Sequence, residues 1–166
     1  MEKQKKGVRL DHISKIYTDP KTGKEFYAVQ DTTLDIEPGS FVTLLGPSGC
    51  GKTTTLRMIA GFEDLSEGEI HLCGRPVSVK SRNLYVPPEE RGLGMVFQAF
   101  AVWPHMNIFD NVAFPLKIQK VNKTDIAKRV KEALHHCSLD GLEEVYPSDL
   151  SGGQQQRIAL ARAIVT

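Results

Sequence analysis

The sequence has 166 residues, of which 40% are hydrophobic and 25% are charged. This composition is ordinary for a folded globular chain, and no apolar run approaches the roughly 18 residues that a membrane-spanning helix needs. The 21 lysines and arginines nearly balance the 20 aspartates and glutamates, so the charge does not indicate a nucleic-acid-binding surface. Three widely spaced cysteines and an N-terminus without an apolar signal stretch favour a reducing, cytosolic compartment.

The first part of the chain predicts antiparallel strands. Between residues 8 and 36, β-favouring stretches alternate with turn-forming residues, most clearly at 19–23. The run FVTLL at 41–45 is mostly apolar, which is typical of a strand buried on both faces. A helix is predicted from about Lys52 to Ala60, and Gly61 is expected to end it.

Further elements follow towards the C-terminus. Residues 69–73 predict a strand that ends in a turn at Gly74, and GMVF at 94–97 predicts another buried strand. Beyond Gln98 the pattern becomes helical. Apolar residues recur every four positions between 123 and 137, which indicates an amphipathic helix, and a final helix is predicted over 157–164.

The stretch GPSGCGKTT at 46–54 matches the phosphate-loop pattern G-x-x-x-x-G-K-[S/T] between a predicted strand and a predicted helix. Its glycines allow the backbone N–H groups to converge on phosphate oxygens at a helix N-terminus. Lys52 would pair with the β- and γ-phosphates, and the Thr53 hydroxyl would bind Mg²⁺. The alternative is a glycine-rich turn with an incidental lysine. The predicted nucleotide-binding residues here are Gly46, Pro47, Ser48, Gly49, Cys50, Gly51, Lys52, Thr53 and Thr54.

A second motif, LSGGQQQR, occupies 150–157, and together with the phosphate loop it resembles the ATP-binding cassette family. In this family two ATPase domains pack head to tail, and each ATP lies between the phosphate loop of one and the signature of the other. The resemblance implies that Ser151, Gly152, Gly153 and Gln154 contact the nucleotide, with the Ser151 hydroxyl aimed at the γ-phosphate. The alternative is a serine that only caps a glutamine-rich helix.

The same resemblance assigns three further features. Tyr17 matches the aromatic residue that stacks on adenine, although a core tyrosine is the alternative. Gln98 matches the glutamine that approaches Mg²⁺ and the attacking water, so Thr53 and Gln98 are the predicted metal-binding residues. Lys52, Gln98 and Ser151 are the predicted catalytic residues. Residues 99–111 resemble the surface that receives the membrane subunit, and their aromatic residues could equally form local core.

The sequence around these motifs looks most like that of importer ATPases of the sugar, polyamine and ferric-iron group. The resemblance implies an α/β phosphate-loop NTPase (RecA-like) core with an antiparallel β subdomain and a helical signature subdomain. The predicted division is an ATP-binding core at 1–98 and a helical subdomain at 99–166. The resemblance also implies ATP and Mg²⁺ as cofactors. The implied partners are transmembrane permease subunits and a second ATPase subunit, which is identical or paralogous. The implied location is peripheral, on the cytoplasmic face of the membrane.

The sequence departs from the family after the signature helix. The family continues into a strand that ends in Asp-Glu and then to a switch histidine, whereas all five histidines here precede the signature. We therefore expect a C-terminally incomplete fold that leaves apolar surface exposed beside the phosphate-loop strand, with little or no hydrolysis by these residues alone.

Three other functions remain as alternatives. The stretches NKTD at 122–125 and DLSG at 149–152 resemble GTPase motifs, but their order along the chain is reversed. A cassette ATPase that acts in DNA repair or translation would carry the same two motifs, although the near-neutral charge opposes it. A nucleotide-binding module without activity is the third alternative.

Overall fold

A computed structural model of the chain describes residues 7–166, which divide into two compact units between Gly92 and Leu93. The division lies a few residues before the boundary that the sequence predicts at Gln98. None of the helices in the described part of the chain has the length and apolar character of a membrane span.

The first unit contains an antiparallel sheet, which confirms the antiparallel strands predicted at 8–36. The hairpin between its first two strands closes where the Asp19 N–H donates to the Lys24 carbonyl at 2.9 Å. Cys73 and Gly74, with φ of 49° and 74°, form the predicted turn after the third strand, as in a two-residue type I′ hairpin. The strands are β1 (Val8–Thr18), β2 (Glu25–Ile36), β3 (Glu67–Leu72), β4 (Arg75–Val79) and β5 (Leu84–Tyr85), in the spatial order β2-β1-β3-β4-β5.

One helix packs with this sheet. Helix α1 spans Lys52–Ala60 and ends at Gly61, whose φ of 85° is the left-handed conformation expected of a glycine C-cap, so both predicted bounds are confirmed. Apolar side chains from the sheet and from the α1 region form the buried core of the unit, which includes Leu10, Ile13, Met58, Leu65, Ile70 and Val77.

The two predicted buried strands, at 41–45 and 94–97, are wrong. Neither segment forms a strand, and Phe41 and Leu45 are each 95% exposed. A strand forms only with at least one hydrogen-bonded neighbour, and no strand within residues 7–166 pairs with either segment. A groove of about 530 Å³ is lined by 43–45 and by residues of β2, so the apolar run at 41–45 is left beside the sheet rather than in it.

The second unit is helical. Helix α2 spans Ile108–Ile118, α3 spans Lys123–His136 and α4 spans Gly152–Ile164. The amphipathic helix predicted at 123–137 is thus confirmed, whereas the final helix begins earlier than predicted. Short 3₁₀ turns cover Lys80–Arg82 and Pro88–Glu90 in the first unit and Pro147–Asp149 in the second. The three helices bury a common apolar core that includes Ile108, Val112, Leu116, Val130, Leu134 and Ile158.

Candidate functional site

The phosphate loop lies in the first unit, directly before α1. Gly49 and Gly51 have φ of 82° and 87°, the left-handed region that favours glycine. A Cβ atom at Gly51 would lie 2.3 Å from the Ala28 carbonyl oxygen, so a side chain cannot fit between the loop and β2. The motif glycines therefore permit a tight curve of the backbone and its close approach to the sheet.

The ammonium group of Lys52 is held by the loop itself. Its Nζ donates to the carbonyl oxygens of Gly46 and Pro47, both at 2.7 Å, and lies 3.4 Å from the Cys50 sulfur. The two carbonyl oxygens carry no net charge, and no carboxylate within residues 7–166 forms an ion pair with Lys52. The positive charge beside the loop is therefore not compensated by the described part of the chain.

The start of α1 has the same electrostatic character. No side chain of residues 7–166 caps the helix at Gly51, and its first turn contains no acidic residue. The partial positive charge of the helix N-terminus therefore adds to that of Lys52. The Thr53 side chain is exposed in this turn, and a hydroxyl oxygen is a ligand that Mg²⁺ accepts. The donors present here suit a polyphosphate with its magnesium ion.

Tyr17 lies at the end of β1, half-buried, opposite Phe26 of β2. The two ring centroids are 5.8 Å apart. The Tyr17 hydroxyl interacts with the Glu63 carboxylate and the Thr54 hydroxyl, and the pKa of Tyr17 is raised by burial first and by the Glu63 hydrogen bond second. The structure therefore brings Tyr17 to the helix that carries the phosphate-loop residues, without making it part of the unit's buried core.

The signature lies in the second unit, at the start of α4. The Ser151 hydroxyl accepts a hydrogen bond from the Gln154 N–H at 3.3 Å, and the Gln154 side-chain oxygen accepts one from the Ser151 N–H at 2.9 Å. This reciprocal pair is a capping box, so the capping alternative describes real local structure. Gly152 and Gly153 occupy the exposed first turn of the helix.

Gln98 also belongs to the second unit and is exposed in a turn after the segment 94–97, which does not form a strand. Phe100 and Ala101, which follow it, have φ of 55° and 50°, so the chain changes direction sharply here. The described contacts do not test the metal-binding and catalytic roles predicted for Gln98, and these roles stay predictions.

The loop at 99–107 is held together by a residue that the sequence analysis missed. Asn111 is fully buried, accepts a hydrogen bond from the Trp103 N–H at 2.8 Å and donates to the Met106 carbonyl at 3.0 Å. The Trp103 ring packs on Phe114 with centroids 4.4 Å apart, and the Arg162 guanidinium lies 4.4 Å from its centroid. At least part of the aromatic surface at 99–111 is therefore packed within its own unit.

Comparisons with known proteins match the chain to the family that the two motifs indicate. The ABC transporter family model matches residues 29–166. The chain is 47% identical to the trehalose/maltose import ATP-binding protein MalK of Thermococcus litoralis, over 96% of this chain and 41% of that protein. It is 52% identical to the spermidine/putrescine import ATP-binding protein PotA of Rubrobacter xylanophilus, over 95% of this chain and 39% of that protein. The chain thus spans less than half the length of these curated relatives.

Solved structures give the same result for the fold. The chain is 31% identical to a dimeric ATP-binding cassette, MJ0796, in a post-hydrolysis state bound to ADP and Pi, with a TM-score of 0.81 over 95% of this chain and 69% of that chain. A second dimeric structure of this cassette matches with a TM-score of 0.82. Because the family model covers most of the chain and these cassettes share its fold, the chain belongs to the ABC transporter family and has the α/β phosphate-loop NTPase fold of its ATP-binding cassettes.

Proposed function

We propose that this chain is part of the ATP-binding and ATP-hydrolysing subunit of an ABC importer. The observation that carries the proposal is the phosphate loop, where the Lys52 ammonium lies beside the start of α1. Within residues 7–166, no carboxylate pairs with this ammonium and no side chain caps the helix start. These two features place positive charge where the triphosphate of ATP would bind. Relatives whose names identify them as import ATP-binding proteins support the direction of transport.

The residues take the roles that their chemistry allows. Lys52 binds the β- and γ-phosphates, Thr53 holds the magnesium ion and Thr54 adds a hydroxyl. Tyr17 stacks on the adenine ring. Magnesium, when bound, neutralises charge on the phosphate oxygens. The remaining loop residues, Gly46, Pro47, Ser48, Gly49, Cys50 and Gly51, supply the backbone that surrounds the phosphates.

A second ATPase subunit completes the site. In the family arrangement, Ser151, Gly152, Gly153 and Gln154 of one subunit meet the nucleotide bound to the phosphate loop of the other, and Gln98 approaches the magnesium ion and the attacking water. The dimeric state of the matching solved cassettes supports this assembly. The partner is a second copy or a paralogue, and both bind transmembrane permease subunits at the cytoplasmic face of the membrane.

Hydrolysis by the 166 residues alone is slow or absent. Phosphoryl transfer to water requires a positioned group that orients or deprotonates the water, and no residue of the sequence matches the family's catalytic glutamate or switch histidine. Binding rather than turnover is therefore the appropriate test of this chain.

The test is a calorimetric titration of the purified chain with Mg-ATP beside the variants Lys52→Ala and Lys21→Ala. Removing a charge-assisted contact from a phosphate should weaken binding by about 10- to 100-fold, so Lys52→Ala should lose most of the affinity. Lys21 is exposed in the β1–β2 turn and serves as the matched control, with affinity expected to stay within about twofold of the unmodified chain. Equal affinity in all three proteins would refute the proposed role of the loop.

A further inference from the structure

A half-buried ion pair ties β1 to the segment that follows α1. The Lys15 ammonium lies 2.6 Å from the Glu63 carboxylate, and the two side chains are only 14% and 24% exposed. The same ammonium donates to the Asp64 carbonyl at 3.0 Å. Because both charges are partly shielded from water, the pair fixes geometry more strongly than an exposed ion pair would.

The same two residues hold the Tyr17 ring. Lys15 and Tyr17 are two residues apart on β1, so their side chains share a face of the strand. The Lys15 ammonium lies 5.1 Å from the centroid of the Tyr17 ring, within the range of a cation–π contact. Glu63 interacts with the Tyr17 hydroxyl at the far end of the ring. The Glu63 carboxylate therefore pairs with the cation beside the ring and also raises the pKa of the hydroxyl at the tip of the ring.

The Tyr17 hydroxyl also interacts with the Thr54 hydroxyl in the first turns of α1. That helix begins with Lys52, whose ammonium lies against the phosphate loop. The ring is thereby connected to the phosphate loop through Thr54, and to the segment after the helix through Glu63. A rigid spacing between ring and loop matters because one nucleotide has to reach both at once.

We propose that Glu63 is a positioning residue for the adenine base, which fixes the Tyr17 ring at a set distance from the phosphate loop. The inference rests on the proposed function, since it requires that the loop binds the triphosphate and that Tyr17 stacks on the base. Without Glu63, the Lys15 ammonium loses its ionic partner and the Tyr17 hydroxyl loses its acceptor. The ring would then lose rotational restraint, and a ligand would have to restore it on binding.

The experiment separates the base from the phosphates. The complete 166-residue chain is titrated with Mg-ATP and with Mg-tripolyphosphate, and the ratio of the two dissociation constants measures what the nucleoside adds. Loss of one hydrogen bond corresponds to about 1 kcal/mol, or about fivefold. In Glu63→Ala we expect the ratio to fall by about 5- to 10-fold, with tripolyphosphate affinity unchanged within about twofold.

Three companion variants make the result specific. Tyr17→Phe keeps the ring and the Lys15–Glu63 pair but removes the hydroxyl, so it tests the same link even if Glu63→Ala unfolds; we expect a similar fall in the ratio. Glu63→Gln keeps an acceptor oxygen for the hydroxyl and should retain most of the ratio. Glu89→Ala removes an exposed carboxylate of the same unit and should change neither constant.

The outcomes are distinguishable. The double variant Tyr17→Phe with Glu63→Ala should lose no more than the larger single variant, because both changes remove the same contact. An unchanged ratio in both single variants, or equal weakening of ATP and tripolyphosphate, would overturn the inference and leave the proposed function intact. Failure of the unmodified chain to bind either ligand would overturn the proposed function, and the inference with it.

Discussion

The helices of the two units begin in different ways. In the second unit each helix has a side-chain cap: Asn107 accepts a hydrogen bond from the Asp110 N–H at 2.8 Å, and Asn122 and Ser151 make the equivalent bonds in α3 and α4. In the first unit α1 begins at Gly51 without such a cap from residues 7–166. Capped ends satisfy their own N–H groups, whereas an uncapped end keeps them for a ligand. The contrast marks the start of α1 as the one whose N–H groups are available to an anion within the subunit, whereas the capped starts satisfy theirs in the absence of a ligand.

The opposite end of α1 is closed tightly. Arg91 is 6% exposed, and its Nη1 donates to the carbonyls of Met58 at 2.8 Å and Ile59 at 2.9 Å. Its Nε donates to the Val86 carbonyl at 2.7 Å, and burial lowers the pKa of the guanidinium. A Cβ at Gly61 would lie 2.5 Å from this Nε, so the helix ends in glycine where the arginine passes. Thus Arg91 anchors the C-terminus of α1, whereas no side chain of residues 7–166 caps the N–H groups at its N-terminus.

Arg91→Met tests the anchored end. The change leaves several buried carbonyl groups without a donor, so we expect the free energy of unfolding of the first unit to fall by about 3 kcal/mol. Urea denaturation followed by circular dichroism measures the loss. Arg82→Met, at an exposed arginine in the 3₁₀ turn after β4, is the control and should change stability by less than about 0.5 kcal/mol. Equal losses in the two variants would show that Arg91 does not anchor the helix.

Ser151→Ala tests the capped start of α4. Removing a serine cap typically lowers stability by about 1 kcal/mol, whereas glycine at the same position loses only a few tenths. Amide hydrogen exchange in the first turns of α4 should therefore accelerate about fivefold in Ser151→Ala and much less in Ser151→Gly. If the glycine variant exchanged as fast as the alanine variant, the capping hydrogen bond would not be what stabilises this helix start.

Inorganic phosphate tests the open start of α1. An anion that binds only the folded chain stabilises it by RT ln 2, about 0.4 kcal/mol, at a concentration equal to its dissociation constant. We expect phosphate to slow amide exchange in the first turns of α1 and to leave α4 unaffected, relative to chloride at equal ionic strength. The same slowing in Lys52→Ala would show that the effect is general rather than a property of the loop.

Local signals explain what could be predicted about the fold. The bounds of α1 follow from the phosphate-loop pattern and from Gly61, and the four-residue spacing of Ile126, Val130 and Leu134 predicts α3. Each depends on residues close together in the sequence. The segments at 41–45 and 94–97 were predicted wrongly because a strand forms only with hydrogen-bonding neighbours, and apolar composition does not report whether these are present.

The same distinction applies to the candidate site. The loop glycines and Lys52 form one contiguous motif and could be identified directly. The capping box could also be predicted from the sequence, because its pattern is a serine followed three residues later by a glutamine. Arg91 and Asn111 could not, since their partners are carbonyl groups that only the folded backbone brings to them. The meeting of Tyr17 with Thr54 and Glu63 likewise joins separate parts of the chain.

The exposed apolar segment at 41–45 also has a consequence for contacts between copies of this chain in solution. Phe41 and Leu45 present almost their whole side chains to water, in a short β-favouring stretch without charge or proline. Such stretches promote aggregation between molecules. A net charge of +1 gives little repulsion to oppose it. We therefore expect this apolar stretch to lower the solubility of the purified chain, and replacing Phe41 with a charged residue to raise it.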